Sequence, residues 1–140
     1  MVTSSKEITF QTRGEGDMLN LTSSVTSFVK ESSVKNGLVN VSVVGSTCAI
    51  TTIEYEPGLE KDFFTALERL APKEEEYEHH KRWGDFNGHS HVRASVIGPS
   101  ITIPVHDSKP VLGTWQQVVF VELDARPRSR NIYLTALGDV

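Results

Sequence analysis

The sequence predicts an α+β fold, with largely antiparallel sheets packed with two to three helices around a single core. Three observations point there. Several segments alternate apolar and polar residues with period two, and their mixed polarity argues against strands buried on both faces of a parallel sheet. The stretch from Pro57 to Leu70 carries apolar residues at helical spacing. No repeat and no linker interrupts the 140 residues, so residues 1–140 read as one domain.

Lys6 to Thr12 opens as a strand, with Ile8 and Phe10 on one face. Gly14 and Gly16 make a turn, and Met18 to Leu21 returns as a second strand. Thr22 or Ser23 caps a helix bearing Val25, Phe28 and Val29, and Asn36-Gly37 stops it, because both residues tolerate positive φ. Leu38 to Val44 is a strand with Val39, Val41 and Val43 on one face, and Ala49 to Tyr55 is another. Pro57 and Gly58 open the clearest helix, whose inner face is Leu59, Phe63, Ala66, Leu67 and Leu70, and Pro72 closes it. Lys73 to Glu78 is a solvated charge run. Tyr77 to Arg93 reads as a polar loop, ordered because Trp83 and Phe86 need burial. Val92, Val96 and Ile97 then form a short helix ended by Gly98-Pro99. Ile101 to Val105, Trp115 to Leu123 and Asn131 to Leu137 complete about seven strands.

Composition removes several classes of function. A formal charge of -4 supplies no basic field, so nucleic acid is not expected as a partner. The single cysteine, Cys48, excludes an internal disulfide and any multi-cysteine zinc site. No apolar run approaches the ~20 residues of a membrane helix and no signal-peptide pattern is present, so no membrane partner is expected and the cytoplasm is the default. The common nucleotide-binding, esterase and zinc-protease motifs are missing as well.

The chemistry concentrates between residues 77 and 93, which hold four of the five histidines: His79, His80, His89 and His91. His89 and His91 would share one face if extended, but they diverge if the helix already starts at Ser90, as the spacing of Val92 and Val96 suggests. With His79 they offer a three-nitrogen site of the kind zinc uses when water fills the fourth position. Exposed loop histidines that bind nothing explain the same residues. Glu54 and Glu56 lie at a strand end, where Glu56 is a candidate acid or base, although solvated charges fit as well. Arg126, Arg128 and Arg130 alternate beside Pro127 and suit a phosphate or carboxylate, while pairing with Glu122 and Asp124 accounts for them nearly as well. On the phosphate reading, Arg130→Ala would weaken ligand binding and leave the melting temperature nearly unchanged. Ser46-Thr47 adds hydroxyl donors, or is simply a turn.

The C-terminal half resembles a known family. Ser100-Ile-Thr-Ile-Pro104, Gly113-Thr-Trp-Gln116, Glu122-Leu-Asp124 and Arg128-x-Arg130 are similar to the signature of the YjbQ family, also described as secondary thiamine-phosphate synthase. Tyr77-Glu-His79 and His91-Val-Arg93 followed by Gly98 match its upstream pattern. Gly45 to Gly58 resembles a variant lacking the His-Thr-Ser start, so Ser46 stands where other members carry His.

The resemblance implies a YjbQ-like fold of two sheets, a homotrimer, and a polar cleft between subunits. It implies a phosphorylated small-molecule ligand and zinc or another divalent metal on His79, His91 and, less regularly in relatives, His89. The implied reaction joins a phosphorylated thiazole to a pyrimidine diphosphate. The implied roles are His79 and His91 in chemistry and Arg93, Arg128 and Arg130 on phosphate; the residue pattern adds Glu56 as a candidate acid or base and Thr47 as a candidate phosphate donor.

Overall fold

The computed structural model describes the backbone of residues 1–140 and every side chain except that of Trp83. Eight strands and four helices follow in order: β1 (Val2–Gln11), β2 (Met18–Asn20), α1 (Thr22–Glu31), β3 (Asn36–Val44), β4 (Cys48–Ile53), α2 (Pro57–Leu70), α3 (Glu78–Trp83), α4 (Gly88–Ile97), β5 (Ser100–His106), β6 (Lys109–Pro110), β7 (Gln117–Glu122) and β8 (Ser129–Asp139). They form a five-stranded sheet, β1-β8-β3-β5-β6, and a three-stranded sheet, β2-β7-β4, and every pairing is antiparallel. The α+β expectation holds.

The expected single core divides in two, and β7 is the reason. Its residues are buried on both faces, so its period-two alternation feeds two clusters. Val118 and Phe120 join Val39, Val41, Val43, Ile50 and Ile132 on the side of the larger sheet, where α1 adds Val25, Phe28 and Val29. Val119 and Val121 face the other way, onto Leu67 of α2 and Ala94 of α4. The small sheet is therefore a middle layer.

Three local expectations need correction. Helix α1 stops at Ser32, where Ser33 takes φ 65, whereas Asn36-Gly37 already belongs to β3. Gly37 is needed there for closeness instead, since a Cβ on it would lie 2.1 Å from the Leu137 carbonyl oxygen. On α2 the inner face keeps Phe63 and Leu67 and gains Phe64, while Ala66 is exposed and Leu70 is 52 % exposed. The segment read as one long loop is mostly α3 and α4, and Phe86 is 66 % exposed rather than buried. Trp83 was the other residue expected to be buried, and its side chain lies outside the described residues. Among the described residues no helix is long and apolar enough to cross a membrane.

Candidate functional site

Helix α4 places the histidines, but not by its apolar residues. Val92 and Val96 are exposed, and the buried face carries His89, Ser90, Arg93 and Ala94. A helix starting at Gly88 separates neighbouring side chains by about 100°, so His89 turns inward and His91 turns toward α3. Gly88 permits the approach of α3 to α4, because a Cβ there would lie 2.6 Å from the Tyr77 side chain.

His79, on α3, and His91, on α4, meet with ring centroids 4.6 Å apart. The His79 Nε2 lies 3.0 Å from Asn87 Oδ1 and 3.1 Å from Asp85 Oδ1. Burial lowers the His91 pKa below its ordinary value, and His79 lowers it further, against the opposing pull of Asp85 and Asp124. Beside His91 a pocket of about 200 Å³ is lined by Gly45, Ser46, Cys48, Ala94, Ser95 and Pro99. Burial raises the Cys48 thiol to about 11, so it is no nucleophile there.

His89 does not join the pair. It is fully buried and bonded through Nε2 to Glu15, which also lies 3.5 Å from Lys73. Among the described residues, no group of three or more His, Cys, Asp or Glu side chains is placed to hold a metal ion. The expected three-imidazole zinc site is therefore not assembled within one chain, which brings only His79 and His91 together.

Most of the remaining expected site residues are spent on contacts within the fold. Arg93 is buried, donating to the Ala71 carbonyl at 3.0 Å and to Glu68 at 2.7 Å, so it ties α4 to α2 instead of clamping a phosphate. Glu56 caps α2, accepting from the Gly58 N–H at 2.9 Å and from the Leu59 N–H. Arg130 is buried against Glu122 and donates to the Thr47 hydroxyl at 2.9 Å. The alternative in which these arginines pair with Glu122 and Asp124 describes the contacts found.

Arg128 differs from the other two. Its Nε and Nη2 both reach Asp124 Oδ2 at 2.7 Å, its side chain is 36 % exposed, and its charge acts on His91. Asp124 is buried, which would raise its carboxyl, but hydrogen bonds from Arg128 and Thr47 outweigh this and hold it below the usual range. The Thr47 hydroxyl donates to Asp124 at 3.0 Å, so Thr47 supports the clamp from behind. Gly45 must stay small here, because its φ is +150° and a Cβ would lie 2.7 Å from Arg130 Nη1. Asn87 and the role of Asp124 beside His91 went unread in the sequence. The Asn-Gly step before a helix was the available signal for Asn87.

The His91 environment sets a pH dependence. Its folded pKa is depressed, so as pH falls below the ordinary ~6.5 the unfolded chain takes the proton first and gains stability. The contribution is whole above ~6.5 and is lost as pH drops through the lower folded value. Urea midpoints measured at about pH 7.5 and pH 5 should fall, and His91→Gln should shrink that fall. An identical pH difference in the variant would remove His91 as its source.

The profile of the family described as "UPF0047 protein YjbQ-like" matches residues 6–139. The chain is 36% identical over 133 residues to a UPF0047 protein of Methanothermobacter thermautotrophicus, covering 95% of this chain and 91% of that one. Among solved structures it is similar to a YbjQ-like protein of Sulfolobus solfataricus P2, with TM-score 0.88, 29% identity, and coverage of 99% of this chain and 100% of that one. A hypothetical protein of Aeropyrum pernix K1 gives TM-score 0.83 at 33% identity, with the same coverage.

Proposed function

The chain belongs to the UPF0047 YjbQ-like family, and from that membership and the cleft we propose an enzyme acting on a phosphorylated small molecule. The observation that carries the reading is the contact of two imidazoles, His79 and His91, together with a part-exposed Arg128 that is oriented by a buried carboxylate and whose charge acts on His91. Arg128 spends two donors on one oxygen of Asp124, which leaves the rest of its fork for a phosphate. Thiamine-phosphate formation is the reaction that suits the family resemblance. The thiazole nitrogen bonds to the pyrimidine methylene carbon, the carbon–oxygen bond to the diphosphate breaks, and pyrophosphate leaves with the bonding pair. The N–H of His91 hydrogen-bonds the leaving oxygen, where negative charge grows, with the His79 ring packed against it. No step is assigned to a metal.

Incubating tag-free protein with the phosphorylated thiazole and the pyrimidine diphosphate tests this directly. Thiamine phosphate should accumulate in proportion to protein, and Arg128→Lys should raise KM for the phosphorylated thiazole about tenfold, the loss of one charge-assisted contact. Phosphate binding without turnover would leave a non-catalytic binding protein, and no binding at all would end the reading.

We further propose that the protein is a homotrimer with its cleft between subunits. Alternation places Leu38, Asn40, Tyr133, Thr135 and Leu137 on the face of the large sheet opposite its core. Leu38, Tyr133 and Leu137 there are exposed, as are Val111 and Trp115, the latter by 72 %. Exposed tyrosine and tryptophan side chains such as Tyr133 and Trp115 are the kind that anchor interfaces. Light scattering should give three times the 15.5 kDa of one chain, and a monomer at micromolar concentration would undo the assembly.

A further inference from the structure

We infer that Asp85 and Asn87 are positioning residues that fix His79 as its Nε2–H tautomer, leaving Nδ1 as the ring's only acceptor. Two side-chain oxygens approach one ring nitrogen, Asp85 Oδ1 at 3.1 Å and Asn87 Oδ1 at 3.0 Å. An unprotonated Nε2 would set its lone pair against the Asp85 carboxylate at 3.1 Å, so that charge favours the proton on Nε2, from where it is donated to Asn87. That in turn settles the Asn87 amide, whose oxygen and not its nitrogen must face the ring. When the imidazole is neutral, the lone pair then sits on Nδ1.

Two features of the backbone agree that this arrangement is built. Asn87 is the N-cap residue of α4, a position where an asparagine normally accepts from the helix's first N–H groups. Its side chain makes no such bond and is 3 % exposed, turned onto His79 instead. Between these two residues Phe86 stands at φ 54, in the left-handed region that a non-glycine side chain disfavours. This residue joins the two that converge on the same nitrogen, and its own ring is mostly exposed. Neither the forgone cap nor the left-handed phenylalanine serves the hydrophobic core.

A histidine held through one nitrogen presents the other in a set orientation, which is how a base or ligand imidazole is prepared. The tautomer stands on geometry alone; its purpose in catalysis rests on the function proposed above. Long-range proton–nitrogen correlation spectra of nitrogen-15-labelled protein report it without any substrate, at about pH 8, above the ordinary imidazole pKa of ~6.5. The His79 signals are assigned by their disappearance in His79→Gln.

In the wild type, Nε2 should be pyrrole-like with a visible, slowly exchanging proton, and Nδ1 pyridine-like. The Asp85→Ala, Asn87→Ala double variant should lose the visible proton, and Asn87→Asp, which keeps an acceptor, should retain it. A proton on Nδ1 in the wild type would overturn the inference. So would undiminished protection of the Nε2 proton in the double variant, with backbone spectra confirming in every case that the fold is intact.

Discussion

Replacing Arg130 by alanine is expected to destabilise the fold by about 3–5 kcal/mol, because it leaves a buried carboxylate without its countercharge. Glu122 is fully buried and Arg130 is 6 % exposed. The Arg130 Nε reaches Glu122 Oε1 at 2.8 Å while Nη2 reaches Oε2 at 2.5 Å, a two-pronged pairing. The rest of the carboxylate is satisfied by the Thr12 hydroxyl at 2.7 Å and by the N–H groups of Leu123 and Asp124, each at 3.1 Å. Nothing else in that set is positively charged. A loss of this size should lower the melting temperature by roughly 10–20 °C for a chain of this length, against total stabilities of about 5–15 kcal/mol.

This reverses the expectation that Arg130 is a ligand clamp whose removal leaves melting unaffected. A companion variant separates charge from packing. Arg130→Met combined with Glu122→Gln removes both charges but keeps an amide oxygen for the Leu123 and Asp124 N–H groups. It should recover more than half of the loss, since a neutralised buried pair costs far less than a broken one. If Arg130→Ala melts within a degree or two of wild type, the pair is not what joins the ends of β1, β7 and β8.

The strands were legible because a half-buried strand writes its geometry into the sequence with period two. Val39, Val41 and Val43 against Asn40 and Ser42 could be read without knowing any partner, and the three valines are buried as expected. Helix α4 failed the same test. Its buried face is polar, so Val92 and Val96 gave the right helix and the wrong side. Periodicity locates an element only when burial is apolar, and here His89, Ser90 and Arg93 take the inside with specific partners or, for Ser90 Oγ, none among the described groups.

The arginine run was ambiguous for a related reason. Three guanidiniums at alternate positions look alike in sequence, and only their depth tells Arg130, sealed against Glu122, from the part-exposed Arg128. The meeting of His79 with His91 could be suspected from shared residue type, but it depends on the tight Gly84–Asn87 connection that folds α3 onto α4. That turn uses left-handed backbone at Gly84 and Phe86, and a phenylalanine carries no sequence signal for positive φ.

The largest effect on turnover is expected from the two cleft imidazoles. His79→Ala and His91→Ala should each lower the rate of thiamine-phosphate formation by about 10²–10⁴-fold, the usual contribution of a positioned acid or base. The rings are 4.6 Å apart, so they act on one reacting group and not on two. The double variant should therefore be little worse than the poorer single one, as is found for residues that work as a unit. His91 carries the sharper prediction because its neutral form is favoured by burial and by His79. Its loss should reduce kcat more than it raises KM, since an interaction made chiefly in the transition state is the one removed. Stability provides the control. Both rings are only partly buried, whereas His89 is sealed in the protein, so His89→Ala should lower the melting temperature more than either cleft variant does. Rates within twofold of wild type for both cleft variants would mean that the paired imidazoles, however close, are not the reacting groups.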